Sequence, residues 1–176
     1  AKAALSLAGS DQNGEMVLLT RFNLGEFLFA KKDYAAALEH YQWVLRSEQA
    51  GPEQKDDARY RLGWCYKFMD KQNLALENFS AMNLQDDAGK YVREVRYLMA
   101  ELHELAQRLP EAVEGYKTLT QARGAYSGES YLALARLEFL ARNHEQVIAL
   151  MQEFLGDFPG HILEADGHYL MAESAY

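Results

Sequence analysis

The chain has few of the residues that cross-link a fold or interrupt a helix. Its 176 residues include one cysteine, Cys65, and three prolines. A single cysteine excludes an intramolecular disulfide, and the scarcity of proline leaves long segments able to form helices. No apolar run approaches the ~20 residues that a membrane-spanning helix needs. The sequence therefore predicts no transmembrane segment.

Basic residues are also scarce. The chain has 18 Lys and Arg against 26 Asp and Glu, a net charge of -8 and an isoelectric point near 5.1. Nucleic acids are bound by clustered Lys and Arg, so this balance argues against a nucleic-acid partner and favours basic or apolar ones. It does not assign a compartment, and the localisation stays open between the periplasm or envelope and the cytoplasm.

Patterns that carry chemistry are absent from the sequence. The five histidines are scattered, and none forms the short-spaced pair that would put two metal ligands on one helix face. There is no glycine-rich phosphate loop and no nucleophile elbow. Cys65 stands between Trp64 and Tyr66, where a small core residue is expected. We therefore expect no enzyme activity, no metal and no cofactor.

What the sequence does contain is an internal repeat. A small residue is followed twelve positions later by a small or β-branched residue, and four further on by an aromatic residue or Met. The four sets are Gly25, Ala37, Tyr41; Gly63, Ala75, Phe79; Ala100, Ala112, Tyr116; and Ala135, Val147, Met151, with a fifth opening at Ala172. The distance along the chain from one set to the next fits one helix-turn-helix per repeat and indicates a stacked helical array.

The apolar spacing and the turn residues divide the chain into repeats, each with a first helix, a short polar elbow and a second helix. The predicted parts are 15–51, 52–88, 89–125 and 126–160 as repeats 1 to 4, 161–176 as the first helix of a truncated fifth repeat, and 1–14 as the tail of a preceding repeat or cap. The ends predict a fragment of a longer repeat protein. Exposed terminal helices would also allow a homodimer.

The second repeat carries a family resemblance. It reads Arg59-x-x-Leu62-Gly63-x-x-Tyr66 followed by Ala75-x-x-x-Phe79, which resembles the tetratricopeptide repeat (TPR) with Arg in place of the usual opening Trp. The other repeats keep the spacing. The resemblance implies an all-α fold, a right-handed superhelical solenoid of antiparallel helix pairs, whose first helices line a concave groove that holds a segment of a partner protein.

By this resemblance, fifteen positions on the first helices face the groove. They are Phe22, Glu26, Phe29, Asp57, Tyr60, Trp64, Lys67, Glu94, Tyr97, Glu101, Glu104, Arg136, Phe139, Tyr169 and Glu173. Aromatic rings accept apolar and cationic groups, and carboxylates select positive charge. The predicted function is thus a non-enzymatic scaffold that binds a protein or peptide segment with apolar and basic residues.

Two alternatives stay open at this stage. Tyr60, Tyr97 and Tyr169 can instead pack against the neighbouring repeat, and the acidic residues can form a solvated face that keeps the array soluble. The protein would then be a structural spacer or an oligomerisation arm of a larger envelope or motility assembly. A fainter similarity, the acid-small-base-tyrosine opening seen at Asp57 to Tyr60, is to repeats of bacterial envelope and periplasmic TPR proteins.

Overall fold

The computed structural model describes residues 2–85 and 89–175, with side chains described over 14–85 and 89–175. The predicted repeat boundary at 88 and the last residue of the predicted fifth repeat, Tyr176, lie outside these ranges. Within them, every regular element is an α-helix. They are α1 (Lys2–Ala30), α2 (Tyr34–Arg46), α3 (Pro52–Phe68), α4 (Gln72–Ser80), α5 (Val92–Leu105), α6 (Leu109–Ala122), α7 (Ser127–Leu140), α8 (His144–Asp157) and α9 (Glu164–Ser174).

The helices fall into two compact units, Ala1–Asp86 and Asp87–Tyr176. In the first unit each helix packs against the next one in sequence, from α1 to α4. In the second unit the same holds from α5 to α9, and α7 also contacts α9. Short connections between packed neighbours make these pairs antiparallel hairpins, as the repeat pattern predicts. Over the described residues, no helix combines the length and the apolar character needed to cross a bilayer.

The repeating positions form the core of both units. All twelve residues of the four sequence sets are buried, and the aromatic or Met position of each set is completely inaccessible: Tyr41, Phe79, Tyr116 and Met151. Ala172, the fifth opening, is exposed on α9, the last described helix. The repeated spacing therefore identifies the side chains that lie between paired helices, because those positions must be both apolar and sterically matched.

The small residues make room for the aromatic rings. A Cβ atom placed on Gly25 would lie 2.7 Å from the Tyr41 ring, and one placed on Gly63 would overlap the ring of Phe79. Glycine in a helix interior costs up to about 1 kcal/mol relative to alanine. The close approach of these rings explains why the sequence accepts that cost.

The elbows between paired helices share one backbone conformation. The residues Lys32, Asp70, Gln107 and Arg142 all have φ near 60°, the left-handed conformation that often ends a helix. The next residue in each elbow donates its N–H to a carbonyl five positions back. The bonds are Asp33 to Leu28 at 3.0 Å, Lys71 to Tyr66 at 2.9 Å, Arg108 to His103 at 2.8 Å and Asn143 to Glu138 at 2.9 Å. The tight turn closes each hairpin without a glycine.

Two helix starts differ from the sequence prediction. We expected a separate helix tail before residue 15, but α1 is continuous from Lys2 to Ala30. Helix α9 begins at Glu164 instead of near His161.

Candidate functional site

The predicted groove positions of the first unit lie on α1 and α3, whose faces meet at Arg61. The guanidinium of Arg61 on α3 lies 5.4 Å from the ring centroid of Phe29 on α1 and 5.6 Å from that of Tyr60. Tyr60 is buried, which favours the packing alternative for this ring. The remaining positions of this unit are partly accessible: Phe22, Glu26, Phe29, Asp57, Trp64 and Lys67.

Glu26 is committed to contacts within the chain. The hydroxyl of Tyr41 donates to Glu26 Oε1 at 2.6 Å, and Arg61 Nη2 lies 2.5 Å from Glu26 Oε2. Burial, with the hydrogen bond and the charge of Glu26, raises the pKa of Tyr41. Because a buried tyrosine hydroxyl needs a partner, Glu26 ties α1, α2 and α3 together.

Aromatic rings cluster at the elbow end of α1 and α3. Phe68 stacks on Tyr34 at 5.0 Å and on Trp64 at 5.3 Å, and it lies 5.8 Å from Phe29. The ammonium of Lys67 lies 5.1 Å from the Trp64 ring centroid. Phe68 remains 52% exposed. The sequence analysis selected Trp64 and Phe29 but missed Phe68, which is one helical turn after Trp64, and Tyr34, which opens α2 directly after the elbow.

Phe22 and Asp57 border a small pocket of the first unit. Its volume is about 170 Å³, and its lining comes from α1, α2 and α3. Its walls are mostly apolar, with carboxylates from Glu15 and Asp57. Two of the predicted groove residues are thereby brought together at one concave feature.

In the second unit the predicted positions centre on Tyr97 of α5. Its ring packs 5.7 Å from Tyr116 and stacks 5.3 Å from Tyr126. Burial and the nearby negative charges of Glu101, Glu129 and Glu104 raise the pKa of Tyr97 to about 12, while the charge of Arg136 opposes them. The potential around this ring is therefore negative, since three carboxylates outweigh one guanidinium.

Glu104 repeats the role of Glu26 in this unit. It accepts the hydroxyl of buried Tyr116 at 2.9 Å and lies 3.6 Å from Arg136 on α7. Burial, with the hydrogen bond and the charge of Glu104, raises the pKa of Tyr116. One carboxylate again joins a first helix, its second helix and the following first helix.

Tyr126 is a site residue that the sequence analysis missed. It precedes α7 in the left-handed conformation, with φ of 66°, which is uncommon for a bulky residue. Its backbone is held by neighbouring serines. Ser130 Oγ donates to the Tyr126 carbonyl at 2.6 Å, and Ser127 Oγ donates to the Leu119 carbonyl at 2.6 Å. The sequence analysis indicated only a boundary between repeats 3 and 4 at this position.

The remaining predicted positions of this unit are Glu94, Phe139, Tyr169 and Glu173. Glu94 lies close enough to Tyr126 to raise its pKa, after the larger effect of burial. Phe139 packs edge-on against His144 at 5.5 Å. Tyr169, 63% exposed, and Glu173 lie on α9, which packs against α8 and α7. The structure thus brings Tyr97, Glu101, Glu104 and Arg136 together, and leaves the α9 positions on a separate accessible face.

Cys65 is a core residue. Its side chain is inaccessible, and burial raises its thiol pKa to about 12. The thiolate, which is the nucleophilic form, is therefore disfavoured. Among the described residues, no group of three His, Cys, Asp or Glu could hold a metal ion.

Comparison with known proteins identifies the fold. No family model matches the chain, and no curated protein matches it in sequence. One crystal structure of MamA superposes with a TM-score of 0.67 at 17% identity, and the alignment covers 90% of this chain and 86% of the MamA chain. A second crystal structure of MamA gives a TM-score of 0.62 at 19% identity, covering 86% of this chain and 88% of the MamA chain. BtubC (BKLC) from P. vanneervenii gives a TM-score of 0.64 at 16% identity, covering 98% of this chain and 78% of BtubC.

These identities are too low to transfer a function, but the structural agreement extends over most of the chain. MamA is a TPR-containing protein, and the chain described here consists of paired helices with small residues at the crossings. The prediction of an all-α helical-repeat fold is confirmed. The protein has the fold of TPR-type helical-repeat proteins.

Proposed function

We propose that this protein is a non-enzymatic scaffold that binds a segment of a partner protein on the faces of its first helices. The partner segment carries basic residues between apolar ones. The observation that supports this most directly is the stacked pair of Tyr97 and Tyr126 in a negative environment. Aromatic faces attract cations and apolar groups alike.

Not every predicted carboxylate serves a partner in this proposal. Glu26 and Glu104 accept the hydroxyls of buried tyrosines and pair with arginines of their own chain. Glu94, Glu101 and Glu129 lie close enough to the two tyrosine rings to add negative charge there. These carboxylates act mainly on specificity and on the rate of association.

A selection from phage-displayed random peptides tests the proposal. We expect the peptides that bind to be enriched in Lys and Arg between apolar residues, and their affinity to fall as salt is added. The test variant combines Glu101→Gln with Glu129→Gln, which keeps the side-chain shape. The matched control combines Glu114→Gln with Glu145→Gln, two exposed positions on α6 and α8.

The expected result is weaker peptide binding by the test variant and unchanged binding by the control. Enrichment of acidic peptides would overturn the proposal, and so would equal losses in both variants, because both remove the same net charge. Circular dichroism of each variant establishes that the fold is retained.

One observation favours a second role as an oligomerisation arm. Helix α1 exposes several large apolar side chains: Met16, Val17, Leu19, Leu24 and Phe27. Exposed apolar surface of this kind tends to be covered by a partner. Sedimentation velocity over a range of concentrations separates the two roles, since a monomer at all concentrations argues against self-association through α1.

A further inference from the structure

The two elbows of the first unit form a basic region on an acidic chain. The segments 27–38 and 66–76 contain two aspartates and the four lysines Lys31, Lys32, Lys67 and Lys71, a net charge of +2, whereas the whole chain carries -8. Lys31, Lys32 and Lys71 are exposed, and the first turns of α2 and α4 contain no acidic residue. This elbow surface comprises the four lysines and the aromatic cluster of Phe29, Tyr34, Trp64 and Phe68.

Aromatic rings supply the apolar part of the elbow surface. Phe68 stacks on Tyr34 and on Trp64, and about half of its side chain stays exposed. A further ring lies beside the first elbow: Phe27 is 57% exposed, and the ammonium of Lys31 is 5.6 Å from its centroid. Rings and cations are therefore accessible side by side at the ends of the helices.

The two aspartates of the elbows accept hydrogen bonds from their own chain. Asp33 Oδ1 accepts the Ala36 N–H at 3.2 Å as the N-cap of α2, and Asp70 Oδ1 accepts the side-chain amide of Gln72 at 2.9 Å. Both carboxylates thus serve the starts of α2 and α4 through uncharged donors, and an excess of cations remains at the elbow surface.

The elbows of the second unit do not share this excess. They contain Arg108 and Arg142, but the first turns of α6 and α8 add Glu111 and Glu145. Leu140, which ends α7, is 78% exposed. The second unit therefore exposes an apolar side chain beside its elbows without a net positive charge, and it offers matched control positions.

A membrane surface with anionic lipids matches both parts of the elbow surface. Trp and Tyr rings are enriched at membrane–water interfaces, and lysines reach anionic head groups while their methylene stems cover apolar surface. All four cations are lysines, which act as point charges, whereas the directed pairs with Glu26 and Glu104 use arginine. Screening limits repulsion from the more distant acidic residues to about 8 Å at physiological ionic strength.

We propose that the elbow surface binds the head-group region of a membrane that contains anionic lipids. The ring of Phe68 enters between the head groups, and the lysines stay with the lipid phosphates and carboxylates. The binding is peripheral. It goes beyond the proposed function and does not depend on it, because Tyr97 and Tyr126 belong to the second unit.

Co-sedimentation with vesicles tests the proposal. One set of vesicles contains phosphatidylcholine alone, and the other contains phosphatidylcholine mixed with phosphatidylserine. We expect the protein to bind the mixed vesicles, to lose this binding as salt is added, and to bind phosphatidylcholine alone much more weakly.

The charge variant combines Lys32→Gln with Lys71→Asn, which are the residues at the equivalent elbow positions 107 and 143. Each lysine beside an anionic surface contributes roughly a factor of five, so we expect binding about twenty-five-fold weaker. Its control, Lys117→Gln with Arg142→Gln, removes the same charge from exposed positions of the second unit and should bind like the parent.

The apolar part is tested by Phe68→Ala. We expect binding to weaken about fivefold, because a half-exposed ring gains part of the transfer free energy of a fully buried one. Leu140→Ala at the end of α7 is its control and should bind like the parent. Circular dichroism of each variant establishes that the fold is retained.

Equal binding to the two kinds of vesicle would overturn the proposal, and so would equal losses in the charge variant and its control. Binding to poly-glutamate without binding to the mixed vesicles would also overturn it, in favour of an acidic protein partner. None of these results bears on the peptide selection, whose test residues lie in the second unit. The two proposals therefore fail separately.

Discussion

Raising the pH above 10 should destabilise this protein through its two inaccessible tyrosine hydroxyls. Burial and a carboxylate partner raise the folded-state pKa of Tyr41 and of Tyr116 above the ordinary value of 10. Above pH 10 the unfolded chain releases these protons and the folded chain keeps them. The stabilisation is therefore complete below pH 10 and is lost as the pH rises.

The expected loss can be worked out for each tyrosine. One unit above the unfolded pKa, ionisation favours the unfolded state by about 1.4 kcal/mol per tyrosine, or about 3 kcal/mol for both. Tyr41→Phe and Tyr116→Phe keep the rings but remove the titrating hydroxyls. At neutral pH each variant should be less stable than the parent by about 1.5–3 kcal/mol, because a hydrogen bond to a charged group is lost.

Urea unfolding followed by circular dichroism at about pH 8 and about pH 11 tests the linkage. The stability difference between the parent and each Phe variant should shrink by about 1.4 kcal/mol between the two pH values. Cys65 and Tyr97, each with a pKa raised to about 12, also favour unfolding at high pH, but they are present in all three proteins. Equal losses in parent and variant would refute the reasoning.

Two further predictions concern single residues. Gly63→Ala should lower the free energy of unfolding by about 1–3 kcal/mol because the new methyl group overlaps the Phe79 ring; Gly156→Ala, which meets no atom within 4 Å, should raise it by up to about 1 kcal/mol. Parent-like stability of the first variant would contradict the packing argument. Lys32→Gly should stabilise by up to about 1 kcal/mol, since φ is 62° there, and thermal unfolding should show no such gain for neighbouring Lys31→Gly.

The repeated spacing of small and large residues predicted the core well, because the packing of paired helices imposes that spacing. In all four sets, three residues lie between paired helices: the small residue, the residue twelve positions later, and the large residue four positions after that. The same information cannot show which atoms meet. The repeat groups Gly63 with Ala75 and Phe79, and only the structure shows that the atoms nearest to a Cβ at Gly63 belong to the Phe79 ring.

The candidate site was less predictable, because it depends on tertiary contacts that leave no local pattern. Tyr126 adopts a conformation that Tyr rarely takes, and its stacking on Tyr97 outweighs the local preference. Phe68 lies at the end of α3 and joins the aromatic cluster through contacts with rings of two other helices, Phe29 on α1 and Tyr34 on α2. The elbows themselves use charged or amide residues at positions that usually favour glycine.

The chemistry of the large core residue determines where a repeat needs a carboxylate on its first helix. Where the repeat places tyrosine, at Tyr41 and Tyr116, the buried hydroxyl requires an acceptor, and a carboxylate of the first helix supplies it. The acceptors occupy different positions in the two repeats: Glu26 follows Gly25 directly, whereas Glu104 is four residues after Ala100.

A fixed spacing from the small residue would therefore locate only one of these carboxylates. Searching for the acceptor of each buried hydroxyl locates both. The other two sets have Phe79 and Met151 at the large position, and neither side chain has a hydroxyl that needs a carboxylate. The hydroxyl of a buried core tyrosine therefore requires one carboxylate on the neighbouring first helix, at Glu26 in the first unit and at Glu104 in the second.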